Sequence, residues 1–221
     1  MTSTIEIVPA IAARDFVALE RQLTRVEGLT RWVQLDVSDG LFTPDYTWGE
    51  WQDLEQVEGK AKLELHLMIE QPELYLKEWM RVADRIIVHP ESTSHLDQII
   101  KEFEHSPVKL GVALLLQTEL EKFAAELERV SLIQLMGIEK IGHQGELFAE
   151  QTLERVRLLR EQYPSVTISV DGGVTLENAP RLIAAGANQL VIGSAIWQAA
   201  DPIAAIKEFQ NLCSLQQTKI S

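Results

Sequence analysis

Short apolar runs rich in β-branched residues alternate with amphipathic stretches from one end of the chain to the other. The runs occupy residues 5–9, 32–37, 62–67, 85–89, 109–114, 132–136, 167–171 and 189–192. They are too continuously apolar for strands with one wet face, so both faces are expected to be buried, as in a parallel sheet covered by helices. Between them, apolar residues recurring every three or four positions predict helices over 15–26, 72–82, 96–103, 120–128, 152–161, 176–185 and 202–212. Segment 48–57 carries the weakest helical pattern. Eight such units in 221 residues fit the compact end of the α/β class known as the (β/α)8 TIM barrel. An open doubly wound sheet is the rival, and no GxGxxG turn follows the first run to support its dinucleotide-binding form. No linker or low-complexity tract divides the chain, so residues 1–221 are expected to form one barrel domain.

Composition narrows the function classes. With 46% hydrophobic and 24% charged residues, the chain reads as a soluble globular protein. No apolar run approaches the roughly 20 residues that span a bilayer, and the start lacks a signal-peptide pattern. A cytoplasmic protein with no membrane partner is expected. The one cysteine, Cys213, rules out an intramolecular disulfide and suits a reducing compartment. It is read as a small buried residue of the last helix. A net charge of −13 leaves no basic stripe for nucleic acid. One phosphate, however, can be held by backbone N–H groups without lysine or arginine.

Candidate chemistry gathers at strand ends. Asp36, His66 and Asp171 close the second, third and seventh runs and would point into the mouth of a barrel. A carboxylate left unpaired in an apolar strand is costly, so a metal or substrate partner is expected for each aspartate. Two carboxylates and an imidazole can hold a divalent metal, and Gln34, on the same strand face as Asp36, could add a carbonyl oxygen. His89 also ends a strand and is read as structural, while Asp39-Gly40 reads as a turn. Gly172 and Gly173 follow Asp171, and Gly193 with Ser194 opens a short helix that Ser194 could cap. A third glycine loop is Gly142-His143-Gln144-Gly145. Any one loop could simply turn a tight corner; two that are adjacent in a barrel point to a phosphate cradle. Paired carboxylates beside such a cradle suggest proton chemistry on a small phosphorylated molecule.

At this point the chain resembles the ribulose-phosphate 3-epimerases along nearly its whole length. The matching stretches are VPAIAARDF (8–16), LDVSDGLFTP (35–44), LHLMI (65–69), LMGIEKIGHQGELF (135–148), SVDGGV (169–174) and AGANQLVIGSAIW (185–197). The resemblance implies a barrel enzyme that moves the proton at C3 of a ketopentose 5-phosphate. It makes Asp36 and Asp171 the acid–base pair acting from opposite faces. It implies a divalent metal (zinc, iron or manganese) on Asp36, His66 and Asp171, with Gln34 standing where the family has a second histidine. His66, Met68 and Met136 would line the sugar, and Gly142, Gly145, Gly172, Gly173, Gly193 and Ser194 would hold its phosphate.

Several positions depart from that pattern. An amide oxygen at Gln34 is a poorer zinc ligand than imidazole. Ala10 replaces a substrate-facing serine, and Ser38 a third methionine. The family's Gly-Phe-Gly-Gly loop has become Gly-His-Gln-Gly, and an Asn-Pro is missing from GVALLLQTE. Three readings stay open: the epimerase itself, an epimerase or isomerase of a different ketose phosphate, and a non-catalytic phosphosugar-binding barrel. A homo-oligomer is expected, with Trp48 and Trp51 as a possible dimer surface and helix packing as their alternative role.

Overall fold

The computed structural model describes residues 4–57, 59, 61–142 and 145–220, the side chains of 218–220 excepted. Eight parallel strands close into a barrel in chain order: β1 (Glu6–Ile11), β2 (Trp32–Ser38), β3 (Lys62–Met68), β4 (Arg85–Val88), β5 (Lys109–Leu114), β6 (Leu132–Met136), β7 (Thr167–Asp171) and β8 (Gln189–Ile192). The seam is made by β1 against β8, with Glu6 opposite Gln189 and Pro9 opposite Ile192. The open-sheet alternative is thereby set aside. In β2 and β3, Asp36 and His66 are register partners, and in β6 and β7 so are Met136 and Asp171. These pairings put the polar strand ends at one level of the mouth.

Helices cover the outside, and each buries one apolar stripe. In α1 (Phe16–Val26), the Asp15 carboxylate accepts from the Ala18 N–H at 2.8 Å and starts the helix. Leu19, Leu23 and Val26 then face the strands, each burial contributing about 1.5–3 kcal/mol. The expected helix over 48–57 shrinks to α2 (Trp51–Leu54). Trp48 packs instead between Phe16 and Trp79, so it belongs to the core. Trp51 is half-buried beneath the Arg81 guanidinium.

Two expected helices are broken. Residues 72–82 form a 3-10 turn, Pro72–Leu74, and the four-residue α3 (Leu76–Trp79), because Tyr75 leaves helical geometry at φ −123°. Likewise 120–128 divides at Phe123 into a 3-10 turn, Leu120–Phe123, and α5 (Ala124–Leu127), after α4 (Leu96–Phe103). Following α6 (Thr152–Gln162), α7 (Ala179–Ala185) begins later than expected. Thr175 and Asn178 exchange side-chain bonds with each other's backbone N–H and form a turn there. Beyond α8 (Ser194–Trp197), α9 (Pro202–Ile220) outruns its expected end at 212. Cys213 is buried on it, and burial pushes its thiol up to about 11. Among the described residues, no helix is long and apolar enough to cross a membrane.

The barrel interior holds a set of buried polar side chains. Low in it, Glu64 pairs with Arg85, and Gln189 bridges them, donating to Glu64 at 2.9 Å and accepting from Arg85 at 3.1 Å. Arg85 also lies over the Trp32 ring, 4.1 Å from its centroid. From Gln189 a thread of side chains runs through Ser169 and Gln134 up to Asp171.

Candidate active site

At the barrel mouth one pocket is lined by Ala10, Asp36, Ser38, His66, Met68 and Met136, together with Gly142, Gly145, Gly172, Gly173, Gly193 and Ser194. Every sequence-predicted side chain and glycine except Gln34 therefore reaches the same cavity. His143 and Gln144 lie outside the described residues.

The floor is a tight cluster. His66 Nδ1 lies 3.2 Å from Asp36 Oδ1 and 3.3 Å from Asp171 Oδ2. His66 is fully buried, and each aspartate side chain exposes 12% of its surface. Burial alone would push His66 down, but hydrogen bonds and charges from Asp171 and Asp36 outweigh it and raise the imidazole to about 9. Asp36 is raised, first by burial and then by the charge of Asp171, against hydrogen bonds from His66 and Gln34. The cluster thus carries more negative charge than its own side chains neutralise.

Gln34 sits beneath this pair with its nitrogen inward. Nε2 donates to Asp36 Oδ1 and to Asp171 Oδ2, at 2.7 Å each, while the buried Oε1 has no partner. As placed, the amide is a clamp on the carboxylates and not an oxygen ligand. Two carboxylates meeting at one nitrogen call for a donor, which Nε2 supplies, and turning the amide over would offer Oε1 instead. The remaining donors do suit a divalent ion: oxygens of Asp36 and Asp171 and a nitrogen of His66 lie within 4.8 Å of one another.

Around the rim, Gly172 and Gly173 have φ of 100° and 66°, a region only glycine enters without strain. A Cβ on Gly172 would lie 2.8 Å from the Ile138 side chain, and one on Gly173 2.7 Å from Phe148 Cα. These glycines are thus required by the loop's own packing as well as by any ligand. Ser194 is the first residue of α8 and not its cap: Gly193 holds that place, and no side chain caps the helix. The Gly193 carbonyl accepts from the Ile196 and Trp197 N–H groups at 3.0 and 3.1 Å, so of the first turn of α8 only the Ser194 and Ala195 amides have no partner within the helix.

Gln134 and Glu91 escape sequence reasoning, and His89, which the sequence presents as a structural strand-end histidine, contacts the His66 ring. Gln134 donates to Asp171 Oδ2 at 3.1 Å from the neighbouring strand. His89 Nε2 lies 2.9 Å from His66 Nε2, and its Nδ1 faces Glu91 at 3.5 Å. The signals were present: a glutamine inside the apolar LIQLM run, and a third consecutive run closing on a titratable residue.

Comparison with known proteins agrees with this architecture. The chain is 33% identical over 214 residues to the ribulose-phosphate 3-epimerase of Bacillus subtilis (strain 168), covering 93% of this chain and 98% of that protein. It is 36% identical to the chloroplastic ribulose-5-phosphate-3-epimerase of Arabidopsis thaliana, covering 93% of this chain and 76% of that one. Among solved structures, the 3-hexulose-6-phosphate synthase of Salmonella typhimurium superposes with a TM-score of 0.74 at 12% identity, over 96% of this chain and 100% of that one. That likeness concerns the fold alone. Residues 6–197 match the Ribulose-phosphate 3 epimerase family, and the chain belongs to it.

Proposed function

We propose that this protein inverts C3 of a ketopentose 5-phosphate, interconverting D-ribulose 5-phosphate and D-xylulose 5-phosphate. The observation that carries the reading is the pair of carboxylates, Asp36 and Asp171, meeting at one histidine on the floor of a glycine-rimmed pocket. One aspartate, ionised, takes the C3 proton, and the C3–H electron pair moves toward the C2 oxygen. The other, protonated, returns a proton to C3 from the opposite face, so the pair shares one proton before and after turnover and holds two in between. The upward push on Asp36 from burial and from Asp171 supports that shared proton. Asp36, His66 and Asp171 would hold a divalent cation, which when bound supplies positive charge beside the C2 oxygen.

Amides of the Gly172–Gly173 loop and of the first turn of α8 hold the phosphate, with Gly142 and Gly145 closing its other side. Met68 and Met136 shield the C2–C3 edge from water. The lone buried cysteine supports a reducing, cytoplasmic setting. The acidic balance supports a free sugar phosphate, and not nucleic acid, as partner.

The test is proton NMR of ribulose 5-phosphate in D₂O with purified protein, alone and with zinc, iron or manganese. Loss of the C3 proton signal with appearance of xylulose 5-phosphate is expected. No exchange under any metal would refute the reading. A second reading, a different ketose phosphate as substrate, is favoured by Ser38. Its buried Oγ lines the pocket with no partner, while Ala10 offers no hydroxyl. Faster exchange on a longer or shorter ketose phosphate would select it.

A further inference from the structure

Behind His66 lies a buried row of side chains that the proposed proton transfer does not use. His66 turns Nδ1 toward Asp36 and Asp171: protonated, it donates to them, and once that proton gives way to a cation the ligating lone pair is the one on Nδ1. A neutral imidazole with that nitrogen bare must carry its proton on Nε2. At 2.9 Å from Nε2 the structure places His89 Nε2, itself fully buried. Two ring nitrogens in contact share one proton, so His89 Nε2 must be the acceptor and His89 must carry its own proton on Nδ1. For a free imidazole this is the less favoured form, and something has to hold it.

Glu91 is placed to do so. Its Oε2 lies 3.5 Å from His89 Nδ1, which has no closer partner. The other oxygen, Oε1, accepts from the Leu115 N–H at 3.0 Å and from the Thr118 hydroxyl. Burial pushes the Glu91 carboxyl up, but the bonds from His89, Thr118 and Leu115 outweigh it and keep it below the usual range. Phe42 lies against the other side of His89, with ring centroids 5.0 Å apart. The row is thus anchored at one end by the loop after β5 and ends at the other on the candidate metal ligand.

We propose that Glu91 and His89 are positioning residues, fixing His66 with a proton on Nε2, so that Nδ1, between the two aspartates, is the nitrogen left to ligate a cation. The inference rests on the reading of His66 as a ligand. Outer-shell partners of this kind typically set metal affinity by about 10–100-fold.

The experiment is a long-range proton–nitrogen correlation of the histidine rings in the full-length, nitrogen-15-labelled protein, metal-free and with zinc. The expected result is a protonated Nδ1 and a bare Nε2 on His89 in both samples. In Glu91→Leu, His89 should move toward the Nε2–H form and zinc affinity, by chelator competition, should fall about 10–100-fold. Glu91→Gln, which keeps an acceptor oxygen, should recover most of that loss. A proton on His89 Nε2 in the unmutated protein overturns the proposal. So does a folded Glu91→Leu that holds zinc as tightly as the parent. Should Glu91→Leu not fold, the spectrum of the unmutated protein decides alone. Failure of the epimerase reading would appear separately, as absent C3 exchange beside an unchanged His89 tautomer.

Discussion

Low in the barrel, Glu64 meets Arg85 and Gln189; two residues further along the same strand, His66 meets two carboxylates at once. Both groups are buried on the same eight strands, yet their charges are balanced differently. Arg85 returns one positive charge to one carboxylate, Gln189 bonds both, and the Trp32 ring lies against the guanidinium. At the mouth, Gln34 brings donors but no charge, and His66 alone faces Asp36 and Asp171. A buried ion pair that closes on itself serves the fold. One left short of positive charge beside a cavity is waiting for something from outside.

The comparison is broken most sharply at the mouth. Asp36→Asn and Asp171→Asn should each lower C3 exchange by at least about 10²–10⁴-fold, read by deuterium wash-in. Asp36→Asn should cost little stability in chemical denaturation, because burial and the Asp171 charge already disfavour the ionised Asp36. Exchange retained in both would show that the mouth is merely another structural cluster. At the lower end the pattern should invert. Arg85→Met strands Glu64, whose burial already raises its carboxyl against Arg85's pull, and should cost about 3–5 kcal/mol of unfolding free energy.

Smaller effects sharpen the contrast. Gln34→His would replace the amide clamp with a further nitrogen ligand and should tighten zinc binding at least about 10-fold in chelator competition, since imidazole suits zinc better than an amide oxygen. Unchanged affinity would mean that position 34 does not face the ion. Smallest is a pH effect at Glu91. Its folded carboxyl is held below 4.5, so its stabilisation is present above that pH and lost as pH falls through the lowered value. Denaturation midpoints of Glu91→Gln should therefore decline less than the parent's between pH 5 and the acid limit, roughly where carboxylates titrate.

The strands were legible because a buried parallel strand writes itself as a continuous apolar run, and all eight lie within two residues of their expected bounds. Short helices were not, since the turns at Tyr75 and Phe123 depend on local backbone geometry that apolar spacing does not encode. Asp36, His66 and Asp171 stood out as polar residues ending apolar runs. His89 stands out equally, yet from sequence a lone strand-end histidine reads as structural. Its meaning lies in a contact with a residue 23 positions away and in a turn carboxylate at 91, neither of which periodicity reveals. Gln34 was placed on the correct face, but only the surrounding donors and acceptors determine which end of an amide turns inward.

The seam between β1 and β8 has a consequence for how the molecule is made. The first strand waits unpaired on one side until residues 189–192 have been synthesised, and Asp171 and the Gly193–Ser194 turn arrive in the same late stretch. Gln34, Asp36 and His66 are in place long before. A chain halted before residue 171 thus carries half of the proposed acid–base pair and only the Gly142 and Gly145 side of the proposed cradle, so completion of the ring and onset of chemistry should coincide.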